Sequence, residues 1–296
     1  MTFYALVLVL TAGLFHAIWN FLAKRAGGGG APFVWLYTAL SALLYAPPAV
    51  VAVFFLGKAH MDALGLLFVL GTAVLHVGYF LSLQRGYSVG DLSVIYPLAR
   101  GTGPLLASAA AVALFGERPG PVAVLGILLI GGGVFALAWE PGGDSIGETS
   151  PAEKRTKRLG VVYGLLTGAF IAGYTLWDKQ AVSGLALSPI LYYWAALAVE
   201  TVILSPVALR HRDEVVAVWR SYRPEVLGVA VLSPLSYLLV LTALVFTPVS
   251  HVAPAREVGI LIGTALGGGL LKEGGVPRRL LAAGAIVAGI VALALG

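Results

Sequence analysis

Apolar runs of about 20 residues recur from one end of this chain to the other, separated by short stretches of glycine, proline and charge. As a helix, each run is long enough at about 1.5 Å per residue to cross a hydrocarbon layer of roughly 30 Å. A two-layer soluble fold cannot bury them all, because 59% of the 296 residues are hydrophobic and only 11% are charged. The expected class is therefore an all-α integral membrane protein. The punctuation predicts helices near 3–24, 33–56, 63–85, 91–115 and 121–139, then 160–182, 189–209, 225–246, 249–271 and 278–296. The stretch 210–223 reads as an amphipathic surface segment at most. The first run has no basic region before it and no small-residue cleavage pattern after it, so it reads as a retained helix and not a signal peptide.

A net charge of +5 invites a nucleic-acid partner, but the basic residues sit in short loops between apolar runs, which is a pattern of membrane orientation. No nucleic-acid partner is expected. With ten spans, one side holds fourteen basic residues, among them Lys24, Arg25, Arg85, Lys154, Arg210 and Arg279. The other side holds three, Lys58, Arg118 and Lys179, while Arg100 and Arg256 fall inside spans. The charge-rich loops are expected in the cytoplasm and both termini outside, in a multi-pass protein of the inner or plasma cell membrane. The chain has no cysteine, which excludes disulfides and thiolate metal sites.

Setting Ser93 against Ser250 places Pro97 on Pro254, Leu75 on Leu232 and Phe80 on Tyr237, an offset of 157 residues. Helices one and six align at a slightly shorter offset, with Trp19-Asn20 facing Tyr174-Thr175 and Lys24 facing Lys179. The expected organisation is a first five-helix repeat over 1–139, a charged linker over 140–158 and a second five-helix repeat over 159–296. An odd number of helices per half gives the two halves opposite topology, so they would enclose a central cavity as inverted repeats.

Arg100 stands about ten residues into an apolar run, where a guanidinium costs at least about 2.5 kcal/mol unless it faces protein or water. Pro97, Gly101, Gly103 and Pro104 surround it, and its counterpart segment is His251-Val252-Ala253-Pro254-Ala255-Arg256-Glu257. Pro97 and Pro254 are expected to break their helices at matching positions and so point to a central site. The alignment sets Arg100 opposite Glu257. Either the two close the bundle as a structural pair, or Arg100 binds an anionic group while Glu257 takes a cation or a proton. His16, Asn20 and Lys24 share a face of helix one, His76 and Tyr79 do so on helix three, and Tyr174, Trp177 and Asp178 on helix six; Tyr193 and Glu200 lie seven apart on helix seven. Aromatic rings beside charged groups suit an amphiphilic or zwitterionic small molecule. Trp35, Trp139, Trp194 and Trp219 read instead as interface anchors.

No close histidine–carboxylate or His-x₃-His spacing joins His16, His76 and His251, so no metal is expected. The glycine run 27–30 lacks a following Lys-Ser/Thr and is no phosphate loop, and no acid, base and nucleophile cluster marks an enzyme. No cofactor is expected. Gly259, Gly263 and Gly267, like Gly103, Ala107 and Ala111, repeat every four residues and read as faces for close helix packing.

The Gly116-Glu117-Arg118 turn after helix four, Trp19-Asn20 followed by Lys24, and the two five-helix halves resemble the drug/metabolite transporter superfamily in its EamA-like branch. His16-Ala17-Ile18-Trp19-Asn20 and Tyr96-Pro97-Leu98-Ala99-Arg100-Gly101 are similar to a subgroup associated with phosphonate utilisation. The resemblance implies a ten-helix basket worked by alternating access, with helices four, five, nine and ten joining the halves and both termini in the cytoplasm, against the charge count. The second half departs from the motif, having Lys272-Glu273-Gly274-Gly275.

The expected function is secondary transport of a small anionic or zwitterionic solute such as an amino acid or phosphonate-like metabolite. Arg100 would hold its anionic group, with Tyr96, Tyr79, Trp19, Tyr174 and Tyr237 as walls and His16, Asn20 and His76 as hydrogen-bonding groups. Glu257 or Glu200 would couple protons. An exporter of cationic drugs using Glu257 and Glu200, and a flippase for a lipid-linked head group, are the alternatives. The expected partners are the solute and membrane lipids, in a monomer or homodimer.

Overall fold

The computed structural model describes residues 1–26, 30–54, 61–89, 92–138, 151–259 and 276–296; within them the side chains of 24, 84, 87–89, 92–98, 137–138, 151–157, 276–280 and 283 are outside the description. The described residues are helical with short connections. The helices are α1 (Phe3–Arg25), α2 (Gly30–Phe54), α3 (Ala63–Val89), α4 (Leu92–Phe115), α5 (Pro121–Ala138), α6 (Pro151–Lys179), α7 (Pro189–Arg210), α8 (Arg212–Ser221), α9 (Arg223–Phe246), α10 (Val249–Ala255) and α11 (Val276–Leu295). Six of them, α1, α2, α3, α6, α7 and α9, are long and apolar enough to cross a membrane. Phe3, Leu43, Phe54, Val202, Leu281 and Leu295 are exposed on the surface, as side chains facing lipid must be.

Three elements differ from expectation. α6 begins at Pro151, nine residues before the apolar run, because proline suits a first helical turn and charged residues continue a helix outside the hydrocarbon as readily as inside. The stretch after α7 forms a true helix, α8, with Asp213 and Glu214 in its first turn and Arg220 in its last, each complementing the helix dipole. Pro97 does not break α4, which runs unbroken from Leu92 to Phe115. As the sixth residue of that helix it forfeits only the bond to the Ser93 carbonyl, and the turns beyond continue regularly. Pro254 does precede a break: α10 ends at Ala255 and the chain turns at Arg256 and Glu257. Most of the expected span 249–271, with Gly263, Gly267 and the Lys272-Glu273 turn, lies outside the described residues, as do Trp139 and most of the linker.

α1 packs on α9, α3 on α6, α2 on α7, α4 on α6 and α10, and α5 on α11. Small residues bring these helices close. A Cβ on Gly126 would lie 2.7 Å from the Gly289 carbonyl oxygen, and one on Gly289 would lie 2.7 Å from that of Gly126, so α5 and α11 meet backbone to backbone. A Cβ on Gly259 would come within 2.6 Å of the Gly13 carbonyl oxygen. The indole N–H of Trp35 donates to Ser205 Oγ at 3.0 Å and that of Trp194 to the Ala42 carbonyl at 2.9 Å, so both rings join α2 to α7.

Candidate functional site

Where α4 meets α10, Arg100 and Glu257 lie together in the core. Arg100 Nη2 is 2.9 Å from Glu257 Oε2, and Arg256 Nε is 3.8 Å from Glu257 Oε1. All three side chains are buried. Glu257 holds them by charge, not through a bidentate fork, since neither of its oxygens has a hydrogen-bond partner with good geometry among the described residues. Nε and Nη2 of Arg256 are likewise buried without an acceptor there. The pairing anticipated from the repeat alignment is thus present, with Arg256 added to it.

Beside Arg100 lies a narrow space walled by His16, Asn20, Tyr79, Leu83, Ala99, Thr167 and Ile171. It has room for a body the size of one water molecule. His16 packs edge-on against Trp19 with centroids 4.8 Å apart, and Asn20 donates to the His16 carbonyl at 2.7 Å.

A second cluster stands between α3, α6, α7 and α9. The His76 ring stacks on Tyr174 at 4.3 Å, takes Tyr237 edge-on at 5.3 Å and lies 6.3 Å from Tyr193. Its Nδ1 is 2.9 Å from the Thr72 carbonyl oxygen and 3.9 Å from Glu200 Oε1. Asp178, wholly buried, accepts from the Tyr192 hydroxyl at 2.6 Å and from the Tyr237 hydroxyl. Tyr79 meets Tyr174 edge-on at 5.9 Å, which places it between this cluster and the space beside Arg100.

The Gly116-Glu117 turn has a structural task at one end of the bundle. Gly116 takes a φ of +65°, a region open to glycine, and this swings Glu117 across to α10. Glu117 Oε1 and Oε2 accept from the Val249 and Ser250 N–H groups at 2.7 and 2.9 Å. The amine of Lys179 donates to the Leu244 and Thr247 carbonyls at 2.7 and 3.1 Å. The turn from α9 into α10 is so held by an anion on the N-terminus of one helix and a cation on the C-terminus of the other.

The residues singled out in sequence fall into two groups. Arg100, Glu257, His16, Trp19 and Asn20 belong to the first cluster, His76, Tyr174, Tyr237 and Glu200 to the second, and Tyr79 links them. The Tyr96 and Pro97 side chains lie outside the described residues. Arg256, Asp178, Tyr192 and Tyr193 were not among the expected site residues. Asp178 and Tyr193 did share faces with residues that were, and Arg256 adjoins Glu257; for Tyr192, whose partner is fourteen residues away on another helix, the sequence held no signal.

No curated protein matches the chain. One solved structure, described only as a crystal structure of a protein, covers 98% of this chain and 96% of its own length, with a TM-score of 0.71 at 15% identity. At that identity the likeness is one of fold. Residues 158–295 match the EamA-like transporter family. That match covers the second half of the chain, which is thus similar to a family of transporters, and six of the described helices are long and apolar enough to cross a membrane.

Proposed function

We propose that this protein is a secondary transporter of a small organic anion or zwitterion, working by alternating access between two inverted five-helix halves in the cell membrane. The helix pairing supports the two halves: exchanging the first five spans with the last five turns the α1–α9 contact into the α6–α3 contact and leaves α2–α7, α4–α10 and α5–α11 as they are. The observation that carries the solute class is the Arg256 guanidinium, buried with Nε and Nη2 lacking an acceptor among the described residues beside a carboxylate shared with Arg100. A carboxylate or phosphonate on a solute can form the fork that Glu257 does not, and so take its place on the two arginines. His16, Asn20 and Tyr79 then meet the rest of the solute as the narrow space opens. An exporter in which Glu257 and Glu200 together hold a cation fits less well, because these carboxylates stand in different clusters and Glu257 already faces two guanidiniums.

The test is thermal stabilisation of the purified protein by a panel of amino acids, phosphonates and quaternary ammonium compounds, repeated with Arg100→Ala and Arg256→Ala. Anionic or zwitterionic compounds stabilise the parent and lose at least about tenfold in affinity, or about 1.4 kcal/mol, in each variant. Stabilisation by the ammonium compounds that survives both variants and disappears in Glu257→Gln would overturn the reading.

A further inference from the structure

An anion site built on Arg100 and Arg256 leaves the second buried cluster without a task. His76 Nδ1 lies 2.9 Å from the Thr72 carbonyl oxygen and 3.1 Å from the Thr72 hydroxyl, so it has an acceptor for a hydrogen when it carries one and a donor when it does not. Glu200 Oε1, 3.9 Å from Nδ1, is buried with no hydrogen-bond partner among the described residues. A charged carboxylate oxygen in that condition is costly, and a proton shared with His76 cancels the uncompensated charge. Asp178 is in a different position, since two tyrosine hydroxyls donate to it beside the ring. The faces of Tyr174, Tyr193 and Tyr237 around His76 accommodate an imidazolium as readily as a neutral ring.

We infer that His76 and Glu200 together form a proton-binding site, which takes one proton from water on one side of the membrane and returns it on the other. The inference rests on the reading of the chain as a secondary transporter, and it names the driving ion. The step makes one N–H or O–H bond from a hydronium proton and leaves one water, with no change of oxidation state. The groups facing the pair are Tyr37 of α2, Thr72 and Tyr79 of α3, Tyr174 and Asp178 of α6, Tyr193 of α7 and Tyr237 of α9. Arg256, beyond α10, also acts electrostatically on His76.

The experiment is infrared difference spectroscopy of the parent protein in phosphatidylcholine liposomes across an acid pH step, with the proton as the only ligand. Acidification should produce a protonated-carboxyl band that is absent from Glu200→Gln and whose midpoint pH moves in His76→Gln, each variant checked for folding by its size-exclusion profile. Absence of the band from the parent, or its retention with the parental midpoint in whichever variant folds, overturns the assignment. No solute is added, so the outcome does not depend on whether the arginines bind anions.

Discussion

Glu117 is the residue whose sequence motif and structural task differ most. In the sequence it marks a turn; in the fold its two oxygens satisfy the first N–H groups of α10, a helix of seven residues that leads to Arg256 and Glu257. Charge-assisted bonds of this kind contribute about 1.5–3 kcal/mol each, and the turn is also held by Lys179 on the other side. Glu117→Ala should therefore lower the thermal unfolding midpoint of the purified protein, while Arg118→Ala, on the exposed neighbouring position, should leave it unchanged. Equal midpoints for Glu117→Ala and the parent would show that the cap carries no stability. Arg100 and Glu257 were legible as partners because the repeat alignment juxtaposed them. Tyr192 was not legible, because the hydroxyl that meets Asp178 depends on how α6 and α7 cross, and no local spacing encodes that crossing.

Helix positions followed from the apolar runs and the glycine, proline and charge between them, and most boundaries fell within a few residues of expectation. The misses have a common physical origin. An apolar run marks where lipid or core surrounds a helix, whereas the helix itself ends where backbone hydrogen bonds end, so α6 extends outward to Pro151 and α8 forms on the surface. The glycine faces were legible as packing surfaces in kind, but the contact between α5 and α11 at Gly126 and Gly289 was not anticipated. Gly126→Leu or Gly289→Leu must force those backbones apart, since the new side chain would begin 2.7 Å from a carbonyl oxygen. Either variant should unfold at a lower temperature and be recovered in reduced yield from detergent. Gly132→Leu, at an exposed position with nothing within 4 Å of its Cβ, should behave as the parent. A parental midpoint for the α5 and α11 variants would mean that this interface yields without cost.

Across the whole molecule, the distribution of basic residues gives an orientation that the helix packing does not address. The chain has no cysteine, so a single introduced thiol reports its side without background. Arg220 on α8 and Arg118 after α4 are exposed, and the fourteen-to-three charge bias places them on opposite sides of the membrane. In intact cells, Arg118→Cys should react with an impermeant maleimide and Arg220→Cys only after permeabilisation. The reverse pattern would put both termini in the cytoplasm. By itself the sequence determined that the chain must be helical and membrane-embedded, since water cannot solvate its repeated apolar runs and lipid cannot solvate an open backbone. It also marked most of the ionisable groups that burial makes expensive, because a charge inside an apolar run is visible without coordinates. Only the tertiary structure divided those groups into two clusters, with guanidiniums around Glu257 and tyrosines around His76. Electrostatic and aromatic contacts act over a few ångströms, and which side chains come that close is decided by helix crossings formed between residues far apart in the chain.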